Sequence, residues 1–222
     1  MDNMNLKQKN AGFTLIEIAI VLVVIGLLLG GVLKGQELIE NAKIKNLRND
    51  FEGISAAYYA YTDRYQAMPG DDGNAAARGW ANAVAGNANG SLANNNAFDA
   101  GNSENQFFWQ HLRYAGLISG NPAGTTNNAG GRANPTHAYN GQLGVTNTTA
   151  TWGLGLPGHI VCAGSIPGKA AAAVDAAFDD GLPNTGQVRA IQGVDNTEPV
   201  GTTPATAYLD DGASYYTVCK SL

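Results

Sequence analysis

The chain has 222 residues, which is enough for one or two ordinary domains. Only 14% of the residues are charged, the net charge is −5, and no basic patch is visible, so the composition argues against nucleic-acid binding. The 29 glycines and the low charge are more typical of a loop-rich exported domain than of a cytosolic enzyme.

The first predicted element is an apolar segment at residues 13–33, which follows a short polar leader carrying Lys7 and Lys9. The segment is long enough to cross the hydrocarbon core of a bilayer as a helix, which takes about 20 residues. An ordinary signal peptide fits less well, because its apolar region is shorter and an Ala-x-Ala cleavage site follows it. We therefore predict a single membrane-spanning helix.

An acidic residue, Glu17, lies inside this apolar segment. A charged side chain within a bilayer is costly, so such a residue is by default functional and needs a partner. Cleavage between Gly12 and Phe13 would create that partner, because the new amino group of Phe13 would lie about one helical turn before Glu17. Between staggered neighbouring chains the amine and the carboxylate could pair directly, and burial of both would then favour assembly.

The sequence of residues 12–17, Gly-Phe-Thr-Leu-Ile-Glu, resembles the processing site of type IV prepilins and of type II secretion pseudopilins. Gly12, Phe13 and Glu17 match the motif of that family. The resemblance implies cleavage after Gly12 by a prepilin peptidase, N-methylation of Phe13 and a role for Glu17 in assembly. It also implies a bacterial inner-membrane protein with a single pass, a cytoplasmic leader and a periplasmic C-terminal domain.

Glycines recur within the apolar segment at a spacing of four, as Gly26 with Gly30 and Gly31 with Gly35. This spacing lets helix backbones approach closely in lipid. Glycine is also common in membrane helices in general, so both interpretations stay open.

After Lys34 the sequence becomes amphipathic without a break. Apolar residues recur every three or four positions on one face, namely Ile44, Leu47, Phe51, Ile54, Tyr58, Tyr61 and Tyr65. Met68-Pro69-Gly70 then ends the helix. We predict a leader (1–12), one helix with a transmembrane half (13–33) and an amphipathic half (34–66), and a globular domain (67–222).

The globular region is predicted to alternate short elements with polar loops. Residues 71–102 predict a loop with a short helix near 75–80. Ser103 and Gln106 have the spacing of a capping box and predict a helix that ends at Gly116. Residues 120–150 predict a variable surface loop.

The C-terminal part is predicted to be a sheet. Candidate strands are 151–156, 159–163, 187–192, 206–209 and 215–220, with a short helix at 169–178. The short connections favour antiparallel pairing. The predicted fold class is α+β and, as the resemblance implies, pilin-like, with one long N-terminal helix packed against a C-terminal antiparallel sheet.

The two cysteines, Cys162 and Cys219, both fall in the globular part. An even number of cysteines in an exported chain favours a disulfide. It would close a loop of about 57 residues and contribute on the order of 4 kcal/mol in the chain-entropy model. Two free buried thiols are the alternative.

The triplet Asp-Asp-Gly occurs at residues 71–73, 179–181 and 210–212. Turn chemistry explains each triplet, because Asp caps its own backbone and Gly adopts positive φ. A second hypothesis is that Asp179, Asp180, Asp210 and Asp211 converge as oxygen ligands for calcium. Some secretion pseudopilins have a C-terminal calcium site, but no spacing here matches a known calcium loop, and no other cofactor is indicated.

The three histidines, His111, His137 and His159, are scattered and have no carboxylate or cysteine at ligand spacing, so we expect structural roles for them.

These features together favour a non-enzymatic structural subunit of a type IV pilus or pilus-like filament, found at the cell surface when assembled. A type II secretion pseudopilin is the alternative. Residues 13–66 lack the proline that many major pilins have in this helix, which argues against the major subunit of a filament, whereas the retained Glu17 argues against the tip-most pseudopilin. A membrane-anchored binding domain or enzyme is less favoured, because no convergent set of titratable groups is visible. The implied partners are other pilin-like subunits, the prepilin peptidase, an inner-membrane assembly platform and membrane lipid.

Overall fold

The computed structural model describes residues 14–92, 96–98, 101–123, 130–147, 153–193 and 203–222. These residues form three α-helices: α1 (Leu15–Tyr65), α2 (Glu104–Tyr114) and α3 (Gly168–Phe178). They also form four strands: β1 (Leu143–Asn147), β2 (His159–Pro167), β3 (Val188–Gln192) and β4 (Tyr215–Ser221). Two short 3₁₀ turns occur at Ala75–Arg78 and Gly130–Arg132. The chain divides into two compact units, Met1–Asn41 and Ala42–Leu222.

The second unit is built around the second part of α1. One face of this helix is buried in the main core, at Leu47, Phe51, Ile54, Ala57 and Tyr61. Ile44, Tyr58 and Tyr65 are partly buried against the same core. The predicted apolar stripe is therefore confirmed, and its spacing of three and four residues places it on one helix face.

The four strands form one antiparallel sheet in the order β1-β2-β4-β3. Side chains alternate between two buried faces, as the twofold period of a strand requires. Val145, Val161 and Val218 belong to the main core together with α1. The opposite face belongs to a smaller core that contains Ala97, Phe98, Leu154, Leu156, Ile160, Cys162, Ile191 and Cys219. The predicted α+β, pilin-like arrangement is confirmed.

Strand β1 lies inside the segment that the sequence predicted to be a variable surface loop, so that prediction was wrong at Leu143–Asn147. The composition of this strand indicates a loop because it includes Gly144, but this glycine is required for a steric reason. A Cβ at Gly144 would lie 2.2 Å from the carbonyl oxygen of Ala97, so only glycine fits under this neighbouring backbone. The glycine that weakens the strand signal is required by the packing.

Two predicted strands are absent from the described residues. Residues 153–156 are irregular, because Gly153 and Gly155 have φ of 59° and 62°, which an extended strand does not allow; residues 151 and 152 lie outside the described part. Residues 206–209 are held by hydrogen bonds that involve side chains, and they do not pair with a neighbouring strand. Tyr208 donates to Asp175 at 2.5 Å, and the Leu209 N–H donates to the Tyr216 hydroxyl at 2.8 Å.

Helix α2 begins at Glu104, directly after Ser103, as predicted. The predicted capping box is not formed, because the Ser103 side chain makes no capping hydrogen bond. The Ser103 backbone carbonyl accepts from the N–H groups of Gln106 and Phe107, at 3.0 and 3.1 Å, as an N-cap carbonyl normally does. The position of the helix was predictable, whereas the bonding at its first turn was not.

Candidate functional site

The first turn of α1 is closed by reciprocal hydrogen bonds between Thr14 and Glu17. The Glu17 carboxylate accepts from the backbone N–H and from the hydroxyl of Thr14, both at 2.8 Å. The Glu17 N–H donates to the Thr14 hydroxyl oxygen at 3.3 Å. This arrangement is a capping box, in which two residues three positions apart satisfy each other's free backbone donors.

The capping box gives the Glu17 carboxylate a partner within its own helix. A negative charge at the first turn also interacts favourably with the helix dipole. Thr14 was not predicted as a functional residue, although the Thr-x-x-Glu spacing directly before an apolar run was the available signal. Gly12 and Phe13 lie outside the described residues, so their predicted roles in cleavage and methylation stay predictions.

The surface of α1 that follows Glu17 is apolar and exposed. Leu15 and Leu27 are 92% and 73% exposed, and the other large apolar side chains of the segment are also exposed. Among the described helices, α1 is the one that is long and apolar enough to cross a membrane, with a mean hydropathy of 2.8 and none of that window buried. The helix therefore fits a membrane-anchored protein, in which lipid or other chains cover this surface.

The four glycines of this segment, Gly26, Gly30, Gly31 and Gly35, have no atom within 4 Å of a Cβ built at their positions. Nothing in the described chain approaches them closely. Both interpretations of the glycine spacing, close helix packing and general membrane composition, therefore remain predictions.

The end of α1 is fixed by a buried carboxylate, Asp72. The Tyr61 hydroxyl donates to it at 2.7 Å, Arg78 forms an ion pair with it at 2.8 Å, and the Asn74 N–H donates to it at 2.8 Å. Burial alone would raise the pKa of Asp72, but these donors lower the pKa overall. The first Asp-Asp-Gly triplet therefore ties the helix to the loop that follows it.

His111 connects the same loop to α2. The Gly70 N–H donates to Nδ1 of His111 at 2.9 Å, and Nε2 lies 2.7 Å from the carbonyl oxygen of Val84. Because Nδ1 accepts a hydrogen bond, the proton of the neutral ring is on Nε2, which donates to Val84. Burial lowers the pKa of His111 to about 4, so the ring is neutral near pH 7. Both ring nitrogens of His111 therefore bind backbone groups of the loop, which is the structural role expected for this histidine.

Cys162 and Cys219 are directly opposite each other on β2 and β4 and are joined by a disulfide. The bond is buried in the smaller core. The predicted pairing is therefore present, and it links two adjacent strands at the centre of the sheet.

The second and third Asp-Asp-Gly triplets lie in turns. Asp179 accepts from the N–H groups of Gln187 and Val188, and Asp180 accepts from the Leu182 N–H at 2.9 Å. Asp211 accepts from three donors in its own turn, including the Ser214 N–H at 2.7 Å.

The described residues contain no group of three or more His, Cys, Asp or Glu side chains that could hold a metal ion. The carboxylates of Asp179, Asp180 and Asp211 accept hydrogen bonds from donors in their own turns. Calcium binding by these residues and Asp210 stays a prediction.

An exposed apolar helix that continues into the core of an α+β domain is a pilin-like arrangement, and it fits a membrane-anchored protein. Residues 7–33 match the family model described as the prokaryotic N-terminal methylation motif. The chain thus carries the prepilin-type cleavage and methylation segment of type IV pilins and pseudopilins. Searches of curated proteins and of solved structures found no match for this chain.

Proposed function

We propose that this protein is a structural subunit of a type IV pilus or pilus-like filament. The observation that carries the proposal is the methylation motif at residues 7–33, which overlaps α1 from Leu15 onward, where the apolar surface of the helix is exposed. A prepilin peptidase would remove residues 1–12, and an inner-membrane platform would then assemble the subunits through α1. The work of the filament would be mechanical, without an active site.

The electrostatic step of this proposal involves Phe13 and Glu17. Cleavage after Gly12 would create an amine on Phe13. The next residue, Thr14, has the backbone N–H that donates to the Glu17 carboxylate. In the free subunit the cap satisfies the carboxylate, whereas the new amine needs a negative partner in lipid. Pairing between the amine of one copy and the carboxylate of a neighbour would make assembly favourable.

Mass spectrometry of the protein purified from native membranes tests the processing step. We expect the N-terminal peptide to begin at Phe13 and to carry one added methyl group. A native N-terminus at Met1, or at any residue other than Phe13, would contradict the proposal.

Shearing of intact cells tests the filament itself. A filament subunit would appear in the sheared surface fraction, whereas a membrane-anchored enzyme or binding domain would stay with the membranes. A subunit confined to the membrane that still shows the Phe13 terminus would instead support the alternative, a type II secretion pseudopilin. A secretion defect in the deletion strain would distinguish that pseudopilin from a processed subunit that has no role in secretion.

We also propose to test calcium as a ligand of Asp179, Asp180, Asp210 and Asp211. Calorimetry of the full chain in detergent, with calcium and with a chelator, would detect binding and a rise in melting temperature. Asp180→Ala and Asp211→Ala should both abolish the binding heat. No heat and unchanged melting in the wild type would exclude this cofactor.

A further inference from the structure

A cavity of about 310 Å³ lies beside the second part of α1, within the second unit. Its apolar lining comes from Ile54, Trp109, Leu117, Ile118, Pro135 and Leu143. Its polar lining comes from Asn49, Asp50, Ser119 and Thr136. Mostly apolar walls with a few polar groups are typical of small-molecule sites, and this volume is at the lower end of their range.

Asp50 is the charged residue of this lining, and it is half-buried. Among the described residues its carboxylate has no hydrogen-bond or ion-pair partner. Two other acids of the second unit form ion pairs, since Glu52 contacts Arg48 at 2.9 Å and Asp72 contacts Arg78 at 2.8 Å. Burial raises the pKa of Asp50, and no neighbouring donor offsets that cost.

Two basic side chains in this part of the described chain, Arg113 and Lys43, have other contacts. Arg113 donates to the carbonyl oxygens of Gly131 and Ala133, at 2.7 and 2.8 Å. Lys43 lies over the ring of Tyr139, 5.4 Å from its centre. No lysine or arginine is among the cavity-lining residues of the described chain. A cation that satisfies Asp50 would therefore come from outside the described residues.

We propose that the cavity binds an aliphatic cation, a primary amine or guanidinium group on a short apolar stem. The cation lies against Asp50, and the stem lies along the apolar wall that includes Trp109 and Ile118. Both a free aliphatic amine and a lysine or arginine side chain of a second copy offer this chemistry. The second source rests on the proposed filament function, whereas the first does not.

Fluorine NMR of the full chain in nanodiscs of neutral phosphatidylcholine tests the site. The chain has three tryptophans, so labelling with 5-fluorotryptophan gives three signals, and Trp109→Phe identifies the signal of the cavity residue. The probes are n-pentylamine hydrochloride, n-pentanol and sodium pentanoate, which share one apolar stem. We expect n-pentylamine to shift the Trp109 signal with a Kd about tenfold lower than n-pentanol. Pentanoate should cause no shift.

Asp50→Asn removes the charge and keeps the shape of the side chain, so it should abolish the preference for the amine over the alcohol. Asp63→Asn is the matched control, since Asp63 is an exposed acid of α1 outside the cavity lining, and it should keep the preference. Equal affinity for amine and alcohol in the wild type would overturn the proposal. So would a preference that survives in Asp50→Asn, or a Trp109 signal that no probe moves.

The same titration on sheared filaments distinguishes the two sources of the cation. A Trp109 signal that responds in nanodiscs but not in filaments would assign the cavity to a side chain of a neighbouring copy. A response in both would assign it to a free amine. If no filaments form, the filament proposal fails while the nanodisc titration still decides the cation site.

Discussion

Glu17 combines two roles that substitutions can separate. Its carboxylate caps α1 through Thr14, and its charge lies in an apolar segment. Glu17→Gln keeps a capping acceptor, because Gln also serves at this position of a capping box, but it removes the charge. If pairing with the Phe13 amine drives assembly, Glu17→Gln and Glu17→Ala should both be inserted and cleaved normally. Both should be depleted from the sheared fraction by roughly tenfold, which corresponds to about 1.4 kcal/mol per subunit.

Thr14→Ala is the converse variant, since it removes the capping hydroxyl and keeps the acid. Loss of a Thr cap costs about 1 kcal/mol of helix stability, but the charge pair remains available, so incorporation should stay near the wild-type level. Immunoblots of sheared and membrane fractions measure all three variants. Normal incorporation of Glu17→Gln together with failure of Thr14→Ala would assign assembly to the cap and not to the charge.

His111 makes the second unit sensitive to acid. Its pKa is about 6.5 in the unfolded chain and about 4 in the folded one, so the unfolded state binds more protons between these values. Stability should therefore fall as the pH falls from about 6.5 to about 4, by up to about 3 kcal/mol. Protonation would place a donor at Nδ1, opposite the Gly70 N–H. Thermal unfolding of the full chain in detergent across this range measures the loss.

Asp175 opposes this effect. Burial raises its pKa from 3.8 to about 6, although Tyr208 and the Gly181 N–H donate to it. The folded state thus binds the extra proton, and its contribution to stability rises as the pH falls from about 6 to about 4. Asp175→Asn should steepen the acid-induced loss, and His111→Gln should reduce it. Identical pH profiles of the wild type and Asp175→Asn would mean that Asp175 titrates normally.

At the scale of the element, the end of α1 depends on one hydroxyl. Tyr61 is fully buried and donates to Asp72, whereas Tyr59, two positions earlier, is 59% exposed. Tyr61→Phe should lower the free energy of unfolding by about 1–2 kcal/mol, because it removes a hydrogen bond to a buried carboxylate. Tyr59→Phe, the matched control, should change it by less than about 0.5 kcal/mol. Equal losses in denaturant titrations of the two variants would show that the Asp72 contact does not stabilise the helix end.

The helices could be predicted from sequence because their signals are local. The periodic apolar residues of α1 and the breaker Pro69 act through near neighbours, and α1 ends at Tyr65, one residue before the predicted end. Helix α3 likewise begins at Gly168, one residue before its predicted start. Periodicity and turn chemistry were sufficient for these elements.

Strand β1 and the smaller core depend on contacts that are distant in sequence. From sequence, Gly144 indicates a loop, because its close contact with the Ala97 backbone is formed only in the folded structure. The sequence predicts Asp72 to be an ordinary turn residue, because its contacts with Tyr61 and Arg78 depend on the folded structure. The Thr14 cap differs from these, because its signal was local and was present in the sequence. Tertiary proximity therefore limited the prediction of the sheet, whereas the Thr14 cap could have been predicted from its local spacing to Glu17.

At the scale of the whole molecule, the apolar segment of α1 and the globular core have separate sources of stability. The candidate membrane span of α1 has none of its apolar window buried, so its stability depends on lipid or on neighbouring chains. The second unit has two cores of its own, one on each face of the sheet. A change confined to the sheet should therefore alter folding of the second unit and leave membrane insertion intact.

The disulfide is the clearest test of that separation. The bond between Cys162 and Cys219 closes 57 residues of sequence. The double variant Cys162→Ala/Cys219→Ala should lower the free energy of unfolding by about 2–4 kcal/mol, because the unfolded chain regains the entropy of that loop. Membrane insertion, measured by carbonate extraction, should not change. The expected stability loss is a large part of the margin of a small domain, so melting should fall by several degrees.

Reduction of the wild type with a membrane-permeant thiol, after partial unfolding has exposed the buried bond, should reproduce the melting temperature of the double variant. Each single variant leaves a free thiol in the smaller core and should lose at least as much stability as the double one. A double variant that melts with the wild type would show that the strand pairing of β2 with β4 holds the sheet without the bond. A double variant that fails to insert would show that the anchor depends on the folded sheet.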